Sequence, residues 1–387
     1  MRLYDCDHCG QPIHFDNRSC VNCGHRLAFV PEMLAMHALA EDEDGTWHLV
    51  ARPERKVRLC ANTALDVCNW TVAAEEVHPF CPACRHNRLV PDASTEVGLN
   101  QWRRISQAQR HLFYSLMRWN LPRTTRQEDP ENGLVFDFLV DEVREDGTIV
   151  PAMTGHEDGL IAIRAAEADD VTREQVRVSM NEPYRTLLGH FRHEIGHYMW
   201  DKLVRDGARL AEFREVFGDE TADYGEALKR NYEEGPPPDW QEKFISTYAS
   251  SHPWEDFAET FAHYLHIVDT LETARAYGIS IEPRRHQELA AEVAFNPYKA
   301  ESSEQLVAAW VPLSLAINGI HRSMGVPDLY PFILTPSVVT KLEFIHQLVH
   351  QNTQIDLKQP SEVELGTASI QGRDGRIAPA PPAGLAS

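Results

Sequence analysis

All eight cysteines of this 387-residue chain fall between Cys6 and Cys84, and that clustering limits what the N-terminal quarter can fold into. Cys6-x-x-Cys9 and Cys20-x-x-Cys23 are two short knuckles ten residues apart, the arrangement that closes four thiolates around one zinc ion. Gly10 and Gly24 each follow the second cysteine of a pair, where a knuckle turn calls for positive φ. Cys60, Cys68, Cys81 and Cys84 make a second set, with a seven-residue gap in its first half and a regular CxxC in its second. His78 and His86 stand near enough to replace Cys60 or Cys68. Such sites substitute for a hydrophobic core in a region too small to build one, so the expectation over residues 1–90 is a β-rich double zinc ribbon with two structural zinc ions. Closed four-thiolate sites have no open position for chemistry. The role left to them is docking a substrate or partner.

Composition excludes several classes of function. A formal net charge of -21 with no localised basic patch argues against nucleic acid and anionic membrane surfaces as partners. The start, Met1 to Cys6, lacks the apolar core of a secretion signal, and the longest apolar run, Leu306 to Ile317, is short and contains Pro312. Cysteines spaced for metal ligation fit a reducing compartment, and the expected location is cytoplasmic.

The chemistry centres on His193-Glu194-Ile195-Gly196-His197. On a helix of 3.6 residues per turn His193 and His197 stack on one face and reach one ion, while Glu194, rotated by about 100°, is placed to act as general base on a metal-activated water. Asn181 is the expected N-cap with Pro183 in the first turn, and Leu188, Phe191, Ile195 and Met199 form an apolar stripe. A third ligand must come from downstream. A metzincin extension would need Gly at 200 and His at 203, where this chain has Trp200 and Leu203. Gly218 to Gly225 offers Asp219 or Asp223 as fallback ligands. The stretch Trp254 to His263 fits best, with Ser251 as cap and Pro253 in the first turn. Glu255, Glu259 and His263 lie at successive i+4 positions of that helix, so Glu255 can bind zinc while Glu259 hydrogen-bonds a ligand histidine and fixes its tautomer. Asp256 falls off this face and suits the helix dipole. His263 and His266 read as structural histidines, and His156 and Glu167 as residues bonding at strand ends.

Elsewhere, Leu89 to Leu99 reads as a linker, Gln101 to Leu121 as a helix ending at Pro122, and Leu134 to Val140 and Leu160 to Ile163 as strands able to line a cleft and pair with an extended peptide. Leu306 to Ile320 is apolar with a kink at Pro312, Thr335-Pro336 opens a last helix, and from Gln354 the composition turns to Gly, Pro, Ala and Ser. The expectation is an α+β architecture: a mainly helical zincin-like domain with a small sheet over residues 96–352, and a disordered tail over 353–387.

The stretches FRHEIGHYMWDKL (Phe191 to Leu203), FGDETADYGEAL (Phe217 to Leu228) and HPWEDFAETFAHYLHIVDTLETA (His252 to Ala274), with the Cys6 knuckle ahead of them, resemble the zinc-binding metallopeptidases of bacteria that carry an N-terminal zinc ribbon. The two helices are also similar to the gluzincin clan, and to anthrax lethal factor in particular. The resemblance implies a peptidase and one catalytic zinc beside the two structural ones. Tyr248 lies seven residues before Glu255, on the segment leading into its helix, and a tyrosine hydroxyl there can stabilise the oxyanion of a peptide carbonyl under attack. The similarity to lethal factor implies this role for Tyr248; Tyr198, Tyr224 and His263 are the competing donors. The reading from a different class is a non-catalytic zinc-ribbon adaptor whose HExxH helix holds a structural metal.

Overall fold

The computed structural model describes residues 2–179, 182 and 184–353; the tail from Gln354 lies outside them. Strands β1 (Tyr4–Asp5) and β2 (Pro12–Ile13) pair across the first knuckle. Strands β3 (Arg26–Val30), β4 (Ala35–Glu41), β5 (Trp47–Leu49), β6 (Arg52–Leu59) and β7 (Thr71–Ala73) follow as an antiparallel sheet in chain order. It curls until Phe29 N donates to Asn69 O at 2.9 Å, just ahead of β7. Alternation along β3 sends Leu27 and Phe29 into the main core, while Ala28 and Val30 join Leu39, Leu49 and Val57 in a smaller cluster. The β-rich double-ribbon expectation therefore holds, and its inner face rests on the helix that follows.

Strand β8 (Asn87–Leu89) leaves the second cysteine set and leads to α1 (Glu96–Arg118), which starts inside the stretch read as linker. Thr95 supplies the reason: its Oγ1 accepts from Gly98 N at 3.0 Å and caps the helix five residues ahead of Gln101. Next come β9 (Val135–Leu139), β10 (Glu142–Val143), β11 (Ile149–Val150), β12 (Gly155–Glu157) and β13 (Leu160–Arg164). One sheet runs β12-β13-β9-β8, with β13 and β8 parallel to β9 and β12 antiparallel to β13. The ribbon region thus contributes a strand to the sheet of the domain after it. Both strands read as cleft-lining are interior, since β9 and β13 each have two neighbours, so neither can pair with a peptide. The outer edge on that side is β12.

The helices are α2 (Asp170–Ser179), α3 (Leu187–Met199), α4 (Leu210–Phe217), α5 (Tyr224–Glu234), α6 (Trp240–Lys243) and α7 (Pro253–Ala276). A short hairpin of β14 (Ser280–Ile281) and β15 (Ala291–Glu292) precedes α8 (Ser303–Ser323) and α9 (Pro336–Thr353). Phe191 on α3 packs on Phe136 and Phe138 of β9, with ring centroids 5.7 and 6.1 Å away, so the sheet sets the height of α3. α7 crosses α3 and is anchored by buried polar bonds: Asp269 accepts from Arg192 of α3 and, at 2.8 Å, from Ser115 of α1, and Glu272 accepts from Arg118 and, at 2.8 Å, from Tyr114. Along α9, Val338, Leu342, Ile345 and Leu348 are buried, as their spacing predicts. Among the described residues no helix is long and apolar enough to cross a membrane.

Candidate metal centre and active site

Thr186 opens α3 by accepting from Gly189 N at 2.9 Å. The expected cap, Asn181, and Pro183 lie outside the described residues, and the helix begins several residues after them. Beyond Met199 the helix continues as a π-helical turn, Trp200–Arg205, a distortion found often beside functional sites. α7 begins at Pro253 as expected, but its cap is His252, whose Nδ1 accepts from Trp254 N at 3.1 Å. Ser251, the expected cap, instead donates to Tyr248 O at 2.7 Å.

Where the two helices cross, three atoms from separate side chains converge. His193 Nε2 is 3.0 Å from Glu255 Oε2, His197 Nε2 is 3.3 Å from that oxygen, and the two nitrogens are 3.2 Å apart. Three ligands of a tetrahedral zinc with ~2.0 Å bonds are separated by about 3.3 Å. His193 Nδ1 faces Glu259 Oε1 at 2.8 Å, so an ion held at Nε2 would leave the ring proton on the Glu259 side. Glu255 Oε2 and His197 Nδ1 are both buried without a hydrogen-bond partner. Burial alone would lower the pKa of His193, yet Glu255 and Glu259 raise it well above its usual value, so the pocket favours positive charge at this point. The donor set and its spacing fit zinc.

Each ligand is held from behind. Glu259 accepts from Ser246 Oγ at 2.6 Å as well as from His193; burial would raise its pKa, but these bonds prevail and hold it at about 2. Glu255 Oε1 accepts from Tyr224 Oη at 2.6 Å. That leaves Oε2 to face the histidines. His197 lies between aromatic rings, 3.8 Å from Trp254 and 6.2 Å from His156 by centroid. Gly196 sits at the helix crossing, where a Cβ would stand 2.8 Å from Ala258 Cα. Any larger residue would push α7, and Glu255 with it, away from the histidines.

Glu194 is buried beside this triangle without belonging to it, and burial raises its pKa against the opposing pull of His193 and His197. Tyr248 also lies near the centre, its ring 5.8 Å from that of His193 and its hydroxyl against that of Tyr224. Burial, reinforced by Glu255, keeps it protonated far above the usual range.

The remaining candidates have other tasks. Asp219 caps the turn at Thr221, and Asp223 caps α5 by accepting from Glu226 N at 2.9 Å. In that stretch Tyr224, not an acid, reaches the centre. His263 bonds Tyr330 Oη at 2.9 Å and His266 bonds Arg192 at 2.6 Å, as structural histidines do. Tyr198 is fully buried with its hydroxyl unpartnered. His156 Nε2 accepts from Gly159 N at 3.1 Å at the end of β12, and Glu167 is bound by Arg185 at 2.6 Å. Asp256 does more than complement the helix dipole: it is fully buried and paired at 2.6 Å with Lys341 of α9.

Both cysteine sets also converge. Cys6 and Cys23 sulfurs are 3.7 Å apart, Cys9 and Cys20 3.6 Å, and Cys68 and Cys81 3.7 Å. These separations are far too long for disulfides and match the edge of about 3.8 Å in a tetrahedron of ~2.3 Å zinc–sulfur bonds. Gly10 and Gly24 adopt φ of 72° and 75°, as the knuckles require. The second set draws on all four cysteines: a short 3-10 helix, Ala61–Leu65, spans the gap, while His86 bonds Leu134 O at 3.0 Å and His78 Nδ1 accepts from Phe80 N at 3.2 Å.

Comparison with known proteins also points to zinc binding. A family model described as "Putative zinc-binding metallo-peptidase" matches residues 98–348, and a zinc-ribbon domain model matches residues 3–95. Uncharacterized proteins of Mycobacterium tuberculosis and Mycobacterium bovis are each 42% identical over 353 residues, which is 91% of this chain and 96% of theirs. No solved structure matches the chain.

Proposed function

We propose that this chain, which belongs to the zinc-binding metallo-peptidase family, hydrolyses peptide bonds at the site formed by His193, His197 and Glu255, with Glu194 as general base. The observation that carries this reading is the triangle of converging ligand atoms at 3.0 to 3.3 Å with an acid, Glu194, standing outside it. Bound zinc supplies a Lewis acid that polarises the peptide carbonyl and brings the pKa of water to about 7. Glu194, its pKa raised by burial, takes the proton from the attacking water and delivers it to the departing amine. Tyr248 donates to the carbonyl oxygen as charge builds there. Tyr224 is already committed to Glu255, whereas the Tyr248 hydroxyl lies against a neutral partner that it can release. Glu259 and Ser246 hold the His193 tautomer. The outer edge of β12, whose His156 faces His197, is suited to take an extended substrate segment by strand addition, and the ribbons to dock a peptide or protein substrate.

The test is a pair of variants measured for metal and for peptide hydrolysis. Glu255→Ala should hold one zinc ion fewer than the wild type and be inactive, and Glu194→Gln should keep that ion and be inactive. An unchanged zinc content in Glu255→Ala would remove Glu255 from the ligand set, and hydrolysis by Glu194→Gln would remove the general base.

A further inference from the structure

The first ribbon carries more ligand atoms than its four-cysteine site uses. His8 stands inside the first knuckle and His25 just after the second, so the pairing of the knuckles brings both imidazoles together, with ring centroids 4.0 Å apart and planes tilted by 33°. One nitrogen from each ring and the Cys23 sulfur lie within 4.8 Å of one another. His25 Nδ1 is buried without a hydrogen-bond partner, whereas His8 is exposed and Cys23 half-buried, so the group is open to solvent on the His8 side. The second ribbon offers no such arrangement: its four cysteines are buried and its nearby histidines, His78 and His86, are hydrogen-bonded to the backbone.

Four thiolates around one divalent ion leave a net charge of about -2 on the first site. A thiolate already bound to one ion keeps lone pairs that can serve a second. Two neutral imidazoles and a bridging thiolate form a borderline-soft donor set suited to zinc, with a fourth position left to water. We propose that His8, His25 and the Cys23 thiolate make a second metal site on the outer face of the first ribbon, in which Cys23 bridges the four-cysteine ion and an exchangeable zinc ion. The four-cysteine site is closed, and this open one is where zinc enters and leaves the ribbon. The inference is independent of the peptidase reading, because none of His193, His197 and Glu255 takes part.

The full chain is loaded with zinc, and bound equivalents are compared in the wild type and in a His8→Gln, His25→Gln double variant matched in thermal stability. The wild type should bind one saturable equivalent more than the variant and release it first to a weak chelator. Once the weak chelator has removed that ion, cobalt(II) should take its place and produce a sulfur-to-cobalt charge-transfer band in the wild type, absent from the double variant. Each single His→Gln variant should weaken the additional ion by about tenfold or more, since a whole ligand is lost. Equal stoichiometry in wild type and double variant, or an additional ion without the sulfur band, would overturn the proposal.

Discussion

Gly196→Ala adds one methyl group at the crossing of α3 and α7, and its consequences can be worked out atom by atom. The new Cβ would lie 2.8 Å from Ala258 Cα, 3.1 Å from Ala258 O and 3.3 Å from Ala258 Cβ, where ordinary contact begins at 3.4 Å. The two closest atoms are backbone, so no rotamer change relieves the clash and the helices must separate by about 0.6 Å. His193 and His197 ride on α3 and Glu255 on α7, so the displacement falls on one metal bond, well beyond the ~0.2 Å that a metal site tolerates. Overpacking costs about 1–3 kcal/mol, whereas alanine in place of a helical glycine returns about 1 kcal/mol. Global stability should therefore change by no more than about 2 kcal/mol, while affinity for the ion at this centre falls by about 10- to 100-fold, at 1.4 kcal/mol per decade. Competition with a chelator of known affinity reads the second quantity and urea unfolding of the metal-free protein reads the first. Ala258→Gly should not rescue the variant, because the offending Cα and carbonyl oxygen remain. Retention of this ion at wild-type affinity would show that the helix crossing does not set the ligand geometry.

Other variants separate the roles of the surrounding groups. Tyr248→Phe should leave zinc content unchanged and lower kcat and kcat/KM together by about 10²-fold, while Tyr224→Phe should weaken zinc binding through Glu255; the reverse pattern would exchange their roles. Glu259→Ala should cost about 10- to 100-fold in metal affinity, measured by chelator competition, and an unchanged affinity would remove Glu259 as the partner of His193. Lys341→Met leaves Asp256 buried without its ion pair and should destabilise the chain by about 3–5 kcal/mol in urea, with Asp256→Asn in the same background recovering part of the loss.

Much of the centre was legible because helical spacing is local. His193 and His197, and Glu255 and Glu259, each lie one turn apart, so the sequence alone puts each pair on a shared face. The cysteines were legible because thiolates at knuckle spacing have few other uses. What escaped depends on contacts distant along the chain. Gly196 matters only because Ala258 crosses it, Asp256 pairs with Lys341 from another helix, and Tyr224 reaches Glu255 from α5. The acids around Tyr224 have the chemistry of metal ligands, yet Asp219 and Asp223 act as local caps, a use for which short acidic side chains are well fitted. The capping residues of α3 and α7 differ from the expected ones for a related reason: Thr186 and His252 compete with nearby residues able to cap, and tertiary packing chooses among them. The strands at β9 and β13 were found, but sheet order decides which edge is free, and order is not written in a strand's own residues.

The measurement that tests the central claim most directly is mapping of newly formed protein termini in a cell extract incubated with zinc-loaded wild type or with Glu194→Gln. If His193, His197 and Glu255 hold the ion and Glu194 moves the proton, the wild type will generate a defined set of new termini and the variant, with equal zinc content, will generate none of them. The same termini from both proteins, or none from either across extracts that contain folded and unfolded substrates, would contradict the account.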